Sequence, residues 1–267
     1  MITKTLDVPG ARLHYELRGS GPLVLLVGAP MDAVAFAPLA DRLAADHTVL
    51  TTDPRGINRS TVDDRDQDST PQLRAADLVE LLTHVDAGPA AVFGSSGGAV
   101  SALALVQARP DLVHTLVAHE PPLIQLLDDR AEIRARVEDY TATYLAGDVV
   151  GAWREFFAAA DIEVPDAVLQ QMVGGERDPQ VVADERFWFE HEMRASDFWE
   201  PDLDVLAASR TRIVVGVGEQ SAGQLCTRTC AALAGALGTA PTPFPGDHTG
   251  FVDDPAGFAE RLRPLLG

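Results

Sequence analysis

Lysine is almost missing from this chain: Lys4 is the only one among 21 basic residues, against 40 Asp and Glu in 267 residues. The formal charge of −19 argues against nucleic acid and anionic membrane surfaces as partners, because both reward Lys and Arg. It does not name a cationic substrate, since an acidic surface mainly serves solubility. Arginine bias alongside abundant alanine reads as genome composition. Cysteine is scarce too. With two in the chain, no disulfide framework is expected. Cys226 and Cys230 fall on one face of a predicted helix over residues 224–237, where they read as buried small hydrophobes; a redox pair or half a metal site is the other reading. Apolar runs stay far short of the roughly 20 residues a membrane span needs. Residues 1–12 lack the basic start and apolar run of a signal peptide, so the cytoplasm is the expected compartment.

What is present is a hydrophobic share of 46%, enough for a packed interior. Short apolar runs alternate with helical patterns, the mark of βα units around a mainly parallel sheet. An antiparallel hairpin is expected over residues 6–18, closing at 19–22. Strands follow at 23–27, 47–52, 90–93, 112–118, 212–217 and about 241–244. Helices are expected near 36–45, 70–85, 98–109 and 255–266. The alternation stops between the sixth strand and the next. Residues 122–209 read as almost wholly helical, with loops at Gly147, 164–165 and 174–179. Because the sheet resumes afterwards, this block is an insertion and not a domain in series. The expected organisation is an α/β core of residues 1–121 and 210–267 with an all-helical lid, residues 122–209.

The chemistry centres on Gly94-Ser95-Ser96-Gly97-Gly98, a G-x-S-x-G string with a strand before it and a helix after it. That setting is what a nucleophile elbow requires. Glycines flank Ser96 because the turn is strained and neighbouring strands crowd it. The serine then projects at a helix N-terminus, where backbone N–H groups favour developing negative charge. Ser95 is out of register and reads as structural.

A serine hydroxyl needs a base. Of seven histidines, His248 follows the last predicted strand in Phe244-Pro-Gly-Asp-His-Thr-Gly-Phe251, at the same sheet edge as Ser96 and in the nucleophile-before-histidine order. The third member has two candidates. The loop after strand 212–217 reads Gly218-Glu219-Gln220-Ser221, with serine where an aspartate is usual. Glu120, in Ala118-His119-Glu120-Pro121-Pro122, stands directly after the preceding strand and is preferred; Glu219 stays open as the alternative. A carboxylate there fixes the His248 tautomer and stabilises its imidazolium. Asp247 reads as a loop-structuring residue. The oxyanion hole is expected from the backbone N–H groups of Gly97 and Ala29, the latter in the loop Val27-Gly28-Ala29-Pro30-Met31-Asp32.

Over its whole length the chain resembles the α/β-hydrolases, through Asp53-x-Arg55-Gly56-x-x-x-Ser60, the Gly94–Gly98 elbow and Gly246-Asp-His248. Within them it is similar to the zearalenone lactonase branch, which uses a Ser–Glu–His triad with glutamate after the sixth strand. His119-Glu120-Pro121-Pro122, the double serine and the missing acid near Ser221 match that setting. The lid does not match. The resemblance implies an α/β-hydrolase fold and a cofactor-free, metal-free serine hydrolase acting on a small apolar ester or lactone, with Ser96, His248 and Glu120 as its triad. In the lid, Phe187-Trp188-Phe189 reads mainly as packing, with Trp188 the first candidate for substrate contact and Met31 the opposite wall. Self-association into a homo-oligomer stays open. Other Ser–His chemistry (lyase, perhydrolase, cofactor-free oxygenase) and a ligand receptor on the same fold remain alternatives.

Overall fold

Leu23–Val27 and Ala90–Ser95 are buried at every position, the pattern of strands covered by helices on both faces. In the computed structural model, which describes residues 1–267, they are β3 and β6 of a nine-stranded sheet. The others are β1 (Ile2–Val8), β2 (Ala11–Gly19), β4 (Thr48–Thr52), β5 (Thr61–Val62), β7 (Val113–His119), β8 (Arg212–Gly218) and β9 (Thr242–Phe244). The spatial order is β1-β2-β4-β3-β6-β7-β8-β9, with β5 paired to β2. From β4 to β9 all neighbours are parallel; β1 and β2 are antiparallel additions.

Two strand readings change. The opening hairpin begins at Ile2 and turns at residues 9–10, where Gly10 takes φ 74°; it does not close at 19–22, which instead carry the chain from β2 into β3. The two-residue β5 has no sequence signature, and it makes the strand before Glu120 the seventh. Both are edge features, where few apolar contacts mark the pattern.

Helices cover the sheet from two sides. On one, α2 (Pro71–Val85), α3 (Gly97–Ala108) and α10 (Leu225–Ala236) bury Leu81, Leu103 and Leu233 against Leu25, Val92 and Leu116. On the other, α1 (Ala33–Leu43) and α11 (Pro255–Leu266) bury Phe36 and Phe258 against Leu26, Phe93 and Val117. Between β7 and β8 the chain forms helices and loops but no strand: α4 (Arg130–Leu145), α5 (Val149–Ala159), α6 (Asp166–Val173), α7 (Pro179–Phe187), a π-turn (Trp188–Glu192), α8 (Met193–Asp197) and α9 (Leu203–Ala208). This block has its own apolar centre around Tyr140, Tyr144, Phe189 and Met193. No helix is long and apolar enough to cross a membrane.

Register aligns the ends of the parallel strands. Val27 lies opposite Gly94, Ser95 opposite His119, His119 opposite Gly216, and Gly218 opposite Phe244. The residues just past those ends therefore share one sheet edge, the place where α/β proteins bind ligands.

Candidate active site

Ser96 is the hinge between β6 and α3, at φ 56° and ψ −128°. A non-glycine residue there stores on the order of 1–3 kcal/mol of strain. The surroundings hold it: the Ser96 N–H donates to the His119 carbonyl at 2.9 Å, and its own carbonyl accepts from Ala99 and Val100 at the start of α3. The glycines are explained by crowding. A Cβ on Gly94 would meet the Gly98 carbonyl oxygen at 2.7 Å, and one on Gly97 would meet the Ala29 oxygen at 2.5 Å. That second approach brings together Gly97 and Ala29, the two residues whose N–H groups are expected to face an oxyanion.

Glu120 emerges from β7 at φ 49° with its carboxylate fully buried. One oxygen accepts the Gly218 N–H at 2.8 Å; the other lies 2.6 Å from His248 Nδ1. Burial pushes this carboxyl up, but the His248 bond and neighbouring polar groups outweigh it and bring it down to about 2. Glu219, one residue past β8, points into solvent and only its N–H is used, on the Phe244 carbonyl. Asp247 accepts from the Thr249 N–H and hydroxyl, a loop-structuring contact. Ser221 is buried with its hydroxyl unpartnered. Ser95 bonds the Nδ1 of buried His119 at 3.1 Å.

Ser96 and His248 line one cavity of about 270 Å³ with Ala29, Gly97 and Glu120. No hydrogen bond joins the Ser96 hydroxyl to His248; such contacts are often loose without substrate and tighten with it. The opposite wall comes from the helical block, through Tyr140, Phe156, Phe157, Trp188 and Met193.

A family model described as the alpha/beta hydrolase fold matches residues 21–156. The chain is also 33% identical to an uncharacterized hydrolase, YraK, of Bacillus subtilis (strain 168), over an alignment covering 98% of this chain and 95% of that one. The chain belongs to the α/β-hydrolase family. A more distant relative is a zearalenone hydrolase of Bionectria ochroleuca, 28% identical over 165 residues, which are 59% of this chain and 62% of that protein. Among solved structures, Est816, described as an N-acyl homoserine lactone degrading enzyme, superposes with a TM-score of 0.72 at 18% identity, covering 98% of this chain and 100% of that one. At that identity the likeness speaks for the fold alone.

In this α/β-hydrolase Trp188 lies on the cavity wall, stacked on Trp153 with ring centroids 5.4 Å apart. Met31 does not line the cavity, contrary to the sequence expectation. The loop folds back so tightly that a Cβ on Gly28 would meet that of Met31 at 2.7 Å, and Met31 packs instead against the core beside α1. The motif Asp53-x-Arg55-Gly56 is scaffolding. Asp53 accepts the Ala33 N–H at 3.0 Å and pairs with Arg59, while Arg55 forks onto Asp77 at 2.6 and 2.7 Å. Cys226 reaches the cavity, and its thiol lies within 4.8 Å of donor atoms on Glu120 and His248. Those two are bonded to each other, and burial holds the thiol protonated. Cys230 is buried and donates to the Gly216 carbonyl.

Three features in and behind the cavity wall had no sequence signal: the Trp188–Glu192 π-turn, Asp197 beside Tyr140, and Glu192. Both Glu192 carboxylate oxygens are buried without a partner. Burial pushes this group up to about 7, with the Arg74 guanidinium pulling the other way. A folded value above the ordinary 4.5 means the folded state keeps a proton that the unfolded chain has released, so stability falls as pH rises from about 4.5 to about 7. Glu192→Gln is therefore expected to flatten the fall of melting temperature across that window. The gain at its alkaline end is on the order of 3 kcal/mol, at about 1.4 kcal/mol per unit. A variant that melts with the wild-type pH slope in scanning calorimetry would contradict this.

Proposed function

We propose that this α/β-hydrolase is a serine hydrolase that cleaves a carboxylic ester, an apolar lactone such as zearalenone in particular, through an acyl-enzyme on Ser96. The observation that carries the reading is the 2.6 Å bond between Glu120 and His248 Nδ1 at the rim of the cavity that holds Ser96. With Nδ1–H held by the carboxylate, the Nε2 lone pair is free to take the Ser96 proton as its oxygen attacks the carbonyl carbon. The negative charge on the carbonyl oxygen is received by the Ala29 and Gly97 N–H groups, worth on the order of 3 kcal/mol each. As the tetrahedral adduct collapses, His248 returns the proton to the leaving alcohol. Water, deprotonated by the same nitrogen, then releases the acid and restores Ser96.

Zearalenone as the substrate is supported by the relative named a zearalenone hydrolase and by a cavity wall of aromatic and aliphatic side chains. In a lactone the leaving alcohol stays tethered to the acyl group, so the cavity must hold the whole opened chain. The test is incubation with zearalenone, followed by mass spectrometry for a gain of one water, with Ser96→Ala as the control. A Ser96-dependent product carries the proposal. Absence of product, with p-nitrophenyl butyrate still cleaved, would remove zearalenone and keep the ester reaction; loss of both would remove the serine hydrolase.

A further inference from the structure

Three carboxylates line the cavity: Glu120, Asp247 and Asp197. Both oxygens of Glu120 are engaged, by Gly218 and His248, and Asp247 is bonded to Thr249. Asp197 is different. It closes α8 on the helical wall, forms no ion pair, and has the Tyr140 hydroxyl as its polar neighbour. No arginine or lysine lines the cavity. Half-buried Asp197 shares the cavity with Ile133, Val137 and Phe156, and burial pushes its carboxyl up to about 7, with the Tyr140 hydroxyl bond pulling the other way. The Tyr140 hydroxyl can serve one carboxyl oxygen, which leaves the other to bond a polar group brought into the cavity.

The backbone delivers Asp197 there by an uncommon route. In a regular α-helix, residues five apart are turned well away from each other. Here the π-turn closes with the Met193 N–H on the Trp188 carbonyl, which adds a residue to that turn. Trp188, Met193, Ser196 and Asp197 consequently all line the one cavity. Single π-turns inside helices occur frequently at functional sites.

We propose that Asp197, with the Tyr140 hydroxyl beside it, is a substrate-reading residue that receives a hydrogen-bond donor, a hydroxyl or a protonated amine, carried by the ester away from its scissile bond. This rests on the serine-hydrolase reading and adds a chemical requirement to it. The substrate is an ester that is apolar along its length and tipped by a donor; a carboxylate tip would find no arginine or lysine in the cavity to pair with. A buried site built to bond a donor discriminates strongly against the isostere that lacks it, because its own polar groups are then left unpaired.

The experiment compares p-nitrophenyl 6-hydroxyhexanoate, p-nitrophenyl 6-aminohexanoate and p-nitrophenyl heptanoate, which have the same shape, together with their homologues of about four to eight chain carbons to fit the cavity. The wild type is expected to favour one donor-tipped series at its best length by about ten- to hundredfold in kcat/KM. Preference for the hydroxyl series and preference for the amine series each support the proposal, and the winner names the donor. Asp197→Leu should abolish the preference, read as the ratio of kcat/KM for the donor-tipped ester to that for the heptanoate. Asp197→Asn keeps a carbonyl acceptor and should retain part of a hydroxyl preference but none of an amine preference. Tyr140→Phe should weaken either. No preference at any length, or an unchanged ratio in Asp197→Leu, overturns the proposal. Binding of the same esters to Ser96→Ala, followed by tryptophan fluorescence, reads the preference without turnover. Preferential binding by a wild type that cleaves none of the esters would sink the serine-hydrolase reading alone, and indifferent binding would sink this one.

Discussion

Ser96→Ala is expected to lower kcat for p-nitrophenyl butyrate by about 10⁴-fold or more while leaving the melting temperature nearly unchanged. Losing the hydroxyl removes the covalent route, and the remaining rate comes only from what the Ala29 and Gly97 N–H groups do for direct attack by water. The fold should tolerate the change, because alanine keeps the Cβ, and the Ser96 backbone bonds to His119, Ala99 and Val100 are main chain. Ser96→Gly separates chemistry from strain. It should be equally inactive, yet relief of the φ 56° conformation should stabilise the protein by about 1 kcal/mol. For a chain of this size that is a rise of about 2 °C in melting temperature. Under the proposed mechanism, the strained turn at Ser96 is a place where stability is given up for geometry. Activity within tenfold of wild type in Ser96→Ala would remove this residue from the mechanism. A Ser96→Gly protein that melts no higher would mean the turn holds no recoverable strain.

The elbow and His248 were legible because each is local: a glycine-flanked serine after four apolar residues, and a histidine just past the last strand. The strands of the parallel sheet were legible for a related reason, since burial on both faces leaves unbroken apolar runs such as Leu23–Val27. Glu120 needed one further step, the recognition that Gly216 sits beside His119 and that the carboxylate after one strand can reach the histidine after another. Legibility ended where the outcome depended on how a turn closes. Nothing in Trp188 to Glu192 announces a π-turn, yet that extra residue decides which side chains meet the cavity. Asp197 in the sequence looks like any surface acid near a helix end. Met31 was misread for a similar reason: its place in the chain suits a cavity wall, and only the fold-back at Gly28 sends it to the core.

Glu120→Gln is the sharpest test of the assembled site. The amide has one acceptor and one donor end where the carboxylate has two acceptors, and the site offers two donors, the Gly218 N–H and His248 Nδ1–H. If the amide oxygen faces His248, its NH₂ is driven against the Gly218 N–H. If the NH₂ faces His248 instead, the imidazole must present its Nδ1 lone pair and carry its proton on Nε2, the tautomer that cannot accept from Ser96. The first arrangement is opposed by that donor–donor clash and the second disables the base, and the same substitution of an acid by its amide in a Ser–His–Asp triad costs about 10⁴ in kcat. A loss of about 10³–10⁴ is expected here, with a lower melting temperature as well. The carboxylate held at about 2 contributes stability above its ordinary 4.5 that disappears as pH falls toward 2, and the amide forfeits it at every pH. Glu219→Gln, altering an exposed side chain, should leave both activity and melting unchanged. Steady-state kinetics on one ester, with calorimetry on both variants, checks the pair. Glu120→Gln within tenfold of wild type, together with a large loss in Glu219→Gln, would move the acid to the loop after β8 and make the Glu120–His248 bond a structural contact.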